Sequence, residues 1–249
     1  MKFIKKFKSL NYNDRKISSI NHIIIHYTNL PNHTEAIKYL CSSEKKVSSH
    51  FLISKKGDIY NLVPEVHRAW HAGLSKWEDK TDINSSSIGI ELDYFPNDFN
   101  KKYSNKLIQS LIELLKYLIS KYKIDKKNIL GHSDIAPYRK IDPGKNLPWK
   151  KLYKFNTAFM PVTNLNFLFD SLDNWLKYLQ LRNKKSRAIL LLSMIGYDTS
   201  KAIYNISKFR ILITSYQTRY LQQNLTKKLD SKTYKFIQNH LLNLLLTKD

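Results

Sequence analysis

Apolar residues follow two different patterns in this sequence, and the change between them near residue 155 is the feature that most constrains the fold. Upstream, short β-branched or alternating apolar runs predict strands at residues 20–25, 50–54, 58–63, 87–92 and 128–131. Helical spacing appears there at residues 34–41 and 107–122. Downstream, only the helical pattern remains, at residues 166–181, 186–196, 199–222 and 231–245. We predict an α/β fold with a mixed central sheet flanked by helices, followed by a small C-terminal helical domain; one continuous domain is the alternative.

Two connecting segments complete the predicted organisation, in which residues 20–155 form the α/β domain. Residues 1–19 form an N-terminal leader that is basic, like the start of a secretory signal, but polar residues replace the apolar core of such a signal. We therefore expect a solvated leader without a cleavable signal, and a cytoplasmic protein. Residues 156–185 are predicted as a helical linker to the helical domain over residues 186–249.

Composition excludes several classes of protein. Cys41 is the only cysteine, so neither an internal disulfide nor a cysteine-rich zinc cage is possible, and any metal must be held by His and carboxylate groups. No apolar run is long enough for a transmembrane helix, so we expect no membrane span. The 42 Lys and Arg against 20 Asp and Glu give a net charge of +22. That charge fits any polyanion or a compositional bias, and we expect no specific nucleic-acid binding because we find no recognisable motif.

Two histidines at predicted strand ends are candidate metal ligands. His26 ends the first strand and His132 follows the last one, while Asp142 lies ten residues further on, in a proline-containing loop. Two His and one Asp would leave a fourth zinc position open, which is the pattern of catalytic sites. Each histidine is also compatible with an ordinary role as a loop anchor. His22 lies about 13 Å from His26 along the same strand and cannot share its metal.

Glu91 and Lys140 are candidate catalytic groups. Ile88, Ile90 and Leu92 form one apolar face of their strand, and Glu91 points to the opposite face, beside Gly89, whose missing side chain leaves space there. A carboxylate there can act as a general base on a metal-bound water, or can simply pair with a lysine. Lys140 is two residues from Asp142 and can stabilise a developing oxyanion, although an ordinary surface lysine is the alternative.

Seven short segments in order over residues 20–155 resemble the zinc-dependent N-acetylmuramoyl-L-alanine amidases of the AmpD/AmiD type, which are related to peptidoglycan recognition proteins. The matching segments are IIIHYT at 23–28, VSSHFLI at 47–53 with GDIYNLVPE at 57–65, AWHAG at 69–73, NSSSIGIEL at 84–92, and GHSDIAP at 131–137 with RKIDPG at 139–144.

The resemblance implies a bacterial hydrolase that cuts the amide between N-acetylmuramic acid, or its anhydro form, and L-alanine in peptidoglycan or muropeptides, in cell wall degradation or recycling. It places one zinc per chain on His26, His132 and Asp142, and catalysis on Glu91 and Lys140. The implied substrate contacts are Tyr27, Trp70, His71 and Arg139. His50 and His71 also match family positions, but the chemistry does not require either as a ligand. A supporting position behind the ligands is therefore the alternative role for both.

Departures from the family pattern leave some alternatives open. Asp79 and Asp82 stand where the cytosolic members commonly have a basic residue before the strand of Glu91. Residues 186–249 resemble a helical peptidoglycan-binding domain, which would place the protein in the periplasm or cell envelope, but residues 226–229 lack the glycine usual in that turn. A helical cap on the catalytic domain is one alternative. A non-catalytic peptidoglycan-recognition module of the same fold is another.

Overall fold

The computed structural model describes residues 2–15, 19–96 and 102–246. The strands are β1 (Tyr12–Asp14), β2 (His22–Tyr27), β3 (Phe51–Ile53), β4 (Ile59–Asn61), β5 (His67–Ala69), β6 (Ser87–Leu92) and β7 (Ile129–Gly131). The helices are α1 (His33–Cys41), α2 (Ile83–Ser86), α3 (Asn105–Tyr122), α4 (His132–Ile135), α5 (Trp149–Lys154), α6 (Phe169–Tyr178), α7 (Lys184–Ile195), α8 (Ser200–Tyr204), α9 (Ile206–Tyr220) and α10 (Ser231–Leu246). Three short 3₁₀ turns, at Ser43–Lys45, Lys126–Asn128 and Asn166–Leu168, complete the described elements.

A five-stranded mixed sheet forms the centre of the molecule, in the order β4-β3-β6-β2-β7. The β2 strand runs parallel to β6 and β7, β3 runs parallel to β6, and β4 closes the edge as the antiparallel half of the predicted hairpin. In this register His26 lies beside Glu91, and Ile25 lies beside Gly131. The carboxyl ends of β2, β6 and β7 therefore meet at one edge of the sheet.

The long helix α3 covers one face of the sheet. It begins where the Ser104 side chain accepts a hydrogen bond from the Leu107 backbone N–H, and it ends at Lys123, whose φ of 53° is left-handed. Its apolar side chains, including Leu107, Leu111 and Leu118, are fully buried in one cluster with the sheet residues. This helix confirms the amphipathic pattern of residues 107–122.

The described N-terminal residues pack against the α/β domain, so the expectation of a solvated leader is wrong for residues 2–15. Ile4 forms a bridge with Tyr60 at the edge strand, and the Phe3 ring lies 5.3 Å from the Phe51 ring. Further along, β1 pairs with β5 in a separate two-stranded sheet. Residues 16–18, also in the predicted leader, lie outside the described residues.

The C-terminal region is helical as predicted, with one difference. The pattern over residues 199–222 forms two helices, because the Asn205 side chain caps the start of α9 by accepting from the Lys208 backbone N–H. Buried apolar side chains of α7, α9 and α10 belong to the same cluster as those of the sheet. The domain boundaries stay predictions.

Among the described parts of the chain, none of the helices has the length and hydropathy needed to cross a membrane.

Candidate active site

The three predicted metal ligands converge at the edge of the sheet where β2 and β7 end. His26 Nδ1 lies 2.9 Å from His132 Nδ1 and 3.2 Å from Asp142 Oδ2, and His132 Nδ1 lies 3.0 Å from the same carboxylate oxygen. All three residues are buried. The Asp142 loop is held in place because its carbonyl accepts a hydrogen bond from the backbone N–H of Ser133.

The donor atoms fit a small divalent cation. The Nε2 of His132 lies 3.1 Å from the carbonyl oxygen of Ala72, so it carries the hydrogen and leaves Nδ1 with a lone pair. That lone pair faces a carboxylate oxygen and a second ring nitrogen at about 3 Å. In a tetrahedral zinc site with bonds of roughly 2.0–2.2 Å, the ligand atoms are roughly 3.3–3.6 Å apart. The observed triangle has nearly that size.

Electrostatics keep these groups in forms that bind metals. Burial, followed by the nearby His132, lowers the pKa of His26 to about 4, which keeps the ring neutral. For Asp142, burial alone would raise the pKa, but the close approach of the His132 and His26 rings outweighs it and brings the pKa well below its usual range. A neutral imidazole and an ionised carboxylate are the protonation states that metal ligation requires.

Glu91 lies on β6, beside His26 of β2. Its Oε2 is buried and has no hydrogen-bond partner among the described residues. Burial, reinforced by the charge of Asp142, raises the pKa of Glu91 to about 8, and the positive charge of Lys140 opposes this rise. A carboxyl group with a pKa near neutrality can both accept and return a proton.

All the predicted site residues line one cavity of about 520 Å³. Its lining includes the three candidate ligands, the two candidate catalytic groups and the four predicted substrate contacts: His26, His132, Asp142, Glu91, Lys140, Tyr27, Trp70, His71 and Arg139. Cavities of a few hundred Å³ are typical of small-molecule and peptide sites. The structure therefore brings together every residue that the sequence singled out for chemistry.

Two of the predicted substrate contacts, Trp70 and Arg139, form hydrogen bonds within the protein. The Trp70 indole donates from Nε1 to Asn13 Oδ1 at 2.5 Å, which anchors the ring to strand β1. Arg139 donates from Nη2 to the carbonyl oxygens of Ala72 and Leu74, at 2.7 and 2.9 Å. Arg139 therefore braces the loop of Ala72 and Leu74, which follows His71 at the side of the cavity.

His50 and His71 lie behind the candidate ligands. The Nδ1 of His50 accepts a hydrogen bond from the Gly89 backbone N–H at 2.9 Å. The Nδ1 of His71 lies 3.1 Å from His26 Nε2. Burial, and then the neighbouring His26, lowers the pKa of His71 well below its ordinary value.

Arg15 and Asn84 also support the site, and neither was predicted as a site residue. The Arg15 guanidinium donates to the carbonyl oxygens of Asn84, Ser85 and Ser87 at 2.7–3.0 Å, just before and at the start of β6. The Asn84 side-chain oxygen in turn accepts from the backbone N–H groups of His71 and Ala72. No local signal marks Arg15, since it stands in a polar segment among many other basic residues.

The family model and the curated relatives that this chain matches all describe the same kind of enzyme. Residues 15–145 match the family model described as N-acetylmuramoyl-L-alanine amidase. The chain is 40% identical to N-acetylmuramoyl-L-alanine amidase AmiD of Escherichia coli over 159 residues, covering 58% of this chain and 56% of that protein. It is 41% identical to 1,6-anhydro-N-acetylmuramyl-L-alanine amidase AmpD of the same species over 106 residues, covering 43% and 56%. The matches thus span about half the length of these curated relatives.

Solved structures match over nearly the whole chain. The E. coli AmiD structure, in complex with the substrate anhydro-N-acetylmuramic acid-L-Ala-D-γ-Glu-L-Lys, has a TM-score of 0.76 and 29% identity, covering 92% of each chain. The structure of AmpDh3 from Pseudomonas aeruginosa with an anhydromuramic pentapeptide has a TM-score of 0.75 and 26% identity, covering 95% of this chain and 97% of that one. These matches include the C-terminal helices and confirm the predicted fold class.

Proposed function

This chain belongs to the N-acetylmuramoyl-L-alanine amidase family, and we propose that it hydrolyses the amide bond between N-acetylmuramic acid, or its anhydro form, and L-alanine. One observation carries the proposal: His26, His132 and Asp142 converge within about 3 Å of one another, with Glu91 on the neighbouring strand of the same cavity. The substrate class is taken from the AmiD relative, whose structure holds an anhydromuramoyl peptide.

His26, His132 and Asp142 are the residues that would hold one zinc ion per chain. Zinc bound there would act as a Lewis acid and, by its charge, would lower the pKa of Glu91. Glu91 Oε2 accepts a proton from the attacking water, since that oxygen is buried and unpartnered in the described structure. It then returns the proton to the departing amine of L-alanine. The Lys140 ammonium stabilises the negative charge on the amide oxygen while the tetrahedral intermediate exists.

A non-catalytic recognition module is the second candidate function. Such a module needs the cavity and the Trp70 ring that lines it, but it has no use for a buried carboxyl group whose pKa is raised by burial. The unpartnered Oε2 of Glu91 supports the enzyme over this alternative.

The ligand assignment is tested by measuring zinc content and muropeptide hydrolysis together. We expect one zinc per wild-type chain, and loss of both zinc and activity in His132→Ala. His22→Gln is the matched control, because His22 is also buried in β2 but lies at its other end, and it should keep both properties. A His132→Ala protein with full zinc and activity would contradict the assignment.

We propose in addition that the C-terminal helices bind glycan strands through a shallow groove lined by Leu179, Leu181, Ile189 and Ile203. Two almost fully exposed tyrosines, Tyr178 and Tyr204, adjoin this groove in the sequence, and aromatic faces pack well on sugar rings.

The double variant Tyr178→Ala/Tyr204→Ala should bind insoluble sacculi at least about fivefold more weakly, because a tethering site raises local substrate concentration only on a polymer. Hydrolysis of a small soluble muropeptide should stay unchanged. Tyr153→Ala, on a different helix, is the control. Unchanged sacculus binding in a folded double variant would leave the helices as a cap.

The cytoplasmic location stays a prediction that cell fractionation tests.

A further inference from the structure

We propose that His71 and Ser87 form a hydrogen-bonded chain that fixes His26 in the tautomer needed to bind the metal. The inference rests on the proposed metal role of His26, and it assigns His71 a positioning role in place of the predicted substrate contact.

The chain starts at the backbone carbonyl of Ile83. Ser87 Oγ lies 2.6 Å from that oxygen, which can only accept, so the Ser87 hydroxyl donates to it. A hydroxyl has one hydrogen, and Ser87 Oγ must therefore act as the acceptor toward His71 Nε2, 3.2 Å away. The hydrogen of the His71 ring is thereby placed on Nε2.

The second half of the chain runs from His71 to the ligand. With its hydrogen on Nε2, the neutral His71 ring offers the Nδ1 lone pair to His26 Nε2 at 3.1 Å. His26 then donates from Nε2 and keeps a lone pair on Nδ1. That nitrogen is the atom that faces His132 Nδ1 and Asp142 Oδ2. Metal-ligating histidines generally donate the other ring N–H to such a partner.

Gly89 provides the space for this arrangement. A Cβ atom at residue 89 would lie 2.5 Å from the Cγ of His71, so the ring can occupy its position only because residue 89 has no side chain. His71 is 9% exposed and Ser87 is fully buried, which shields the hydrogen bonds between them from competing water. The His71 ring therefore fills the space beside Gly89 on the face of β6 that carries Glu91.

Zinc affinity, measured by competition with a chromophoric chelator, tests the chain without any substrate. We expect His71→Leu to weaken zinc binding about 10- to 100-fold, and Ser87→Ala to weaken it by a smaller factor of at least about threefold. The matched control is Ser86→Ala, since Ser86 is equally buried and also donates to the Ile83 carbonyl, at 3.4 Å. It should leave zinc affinity unchanged. Far-UV circular dichroism and Tm establish that each variant is folded.

Two further measurements separate positioning from packing. In His71→Asn, the side-chain oxygen can still accept from His26 Nε2, so affinity should stay within a few-fold of the wild type. In the double variant His71→Leu/Ser87→Ala, affinity should equal that of His71→Leu alone, because the two residues act in series. Nitrogen chemical shifts of the histidine rings in the zinc-loaded protein should place the His71 hydrogen on Nε2.

The outcomes distinguish this inference from the proposed function. A wild-type chain that binds zinc with the same affinity as Ser87→Ala, or a His71 hydrogen on Nδ1, overturns the hydrogen-bonded chain alone. Multiplying losses in the double variant also overturn it. A wild-type chain that binds no zinc overturns the metal assignment, and this inference with it.

Discussion

Glu91 is the residue at which the structure gives the sharpest contrast between stability and chemistry. Its carboxyl group sits at the sheet edge with one unpartnered oxygen, so replacing it removes no described hydrogen bond of that atom. The raised pKa of about 8 shows that the charged form is unfavourable there in the absence of a cation. The fold therefore does not need this charge.

We expect Glu91→Gln to bind zinc normally and to keep its Tm, or to raise it slightly, while kcat on a muropeptide falls by roughly 10²–10⁴-fold, the usual contribution of general base catalysis. Glu113→Gln, an exposed change on α3, is the control. Steady-state kinetics and differential scanning calorimetry measure the two effects. A loss in kcat below tenfold would give Glu91 a structural role instead.

At the scale of elements, the N-terminal residues support the sheet from outside. Arg15 reaches over from the end of the β1 segment and donates to three carbonyl oxygens around the start of β6, as well as to the carbonyl of Glu65. Burial lowers the pKa of Arg15 to about 10, which still leaves it charged at neutral pH. Its loss would leave buried carbonyl groups without a donor.

Arg15→Met keeps most of the length of the side chain and removes its hydrogen bonds. We expect it to lower the free energy of unfolding by about 2–4 kcal/mol, since several partly buried acceptors lose a charged donor at once. Urea unfolding followed by fluorescence measures the change, with Lys8→Met as the exposed control. Equal unfolding midpoints for Arg15→Met and Lys8→Met would return this segment to the role of a solvated leader.

Elements were predictable from the sequence where local pattern alone decides them. The β2 and β6 strands are continuous apolar runs, and α3 has a clear helical repeat, so their positions were correct to within about two residues. The β1 strand was missed because Tyr12–Asp14 is polar and becomes a strand only by pairing with β5. The break at Asn205 was missed because the apolar pattern runs through it.

The residues of the candidate site also fall into two groups: those that a local pattern predicts and those that depend on distant contacts. The convergence of His26, His132 and Asp142, and the position of Glu91 on the neighbouring strand, were predictable, because strand ends and strand alternation are local properties that the motifs reinforce. The roles of Arg15 and Ser87 depend on contacts between segments separated by up to 72 residues, and no local pattern encodes such contacts.

At the scale of the whole molecule, a buried ion pair joins the helical region to the turn that carries His132. Arg219 of α9 donates from Nη1 to Asp134 Oδ2 at 2.5 Å and from Nη2 to the Ile129 carbonyl. Tyr197 donates to the other oxygen of Asp134 at 2.8 Å. Both charged side chains are at most 2% exposed. The C-terminal helices therefore brace the turn that carries the candidate ligand His132.

Arg219→Met should destabilise the protein by about 3–5 kcal/mol, because it leaves the Asp134 carboxylate buried without its cation. For a chain of this size, that corresponds to roughly 6–20 °C in Tm. Adding Asp134→Asn removes the orphaned charge and should recover a large part of the loss. Thermal unfolding of the single and double variants checks both expectations, and additive losses in the double variant would contradict the pairing.

The order of strands in the sheet has a kinetic consequence. Of the strands in the five-stranded sheet, β2 is made first, yet its two neighbours, β6 and β7, follow 60 and more than 100 residues later. Closing such long loops is slow, because chain entropy opposes it until the contacts form. A ribosome-bound chain that has emerged only as far as residue 131 contains one of the three candidate ligands, His26, so the three side chains can come together only after the last parallel strand has docked. The candidate site is therefore incomplete in every unfinished chain.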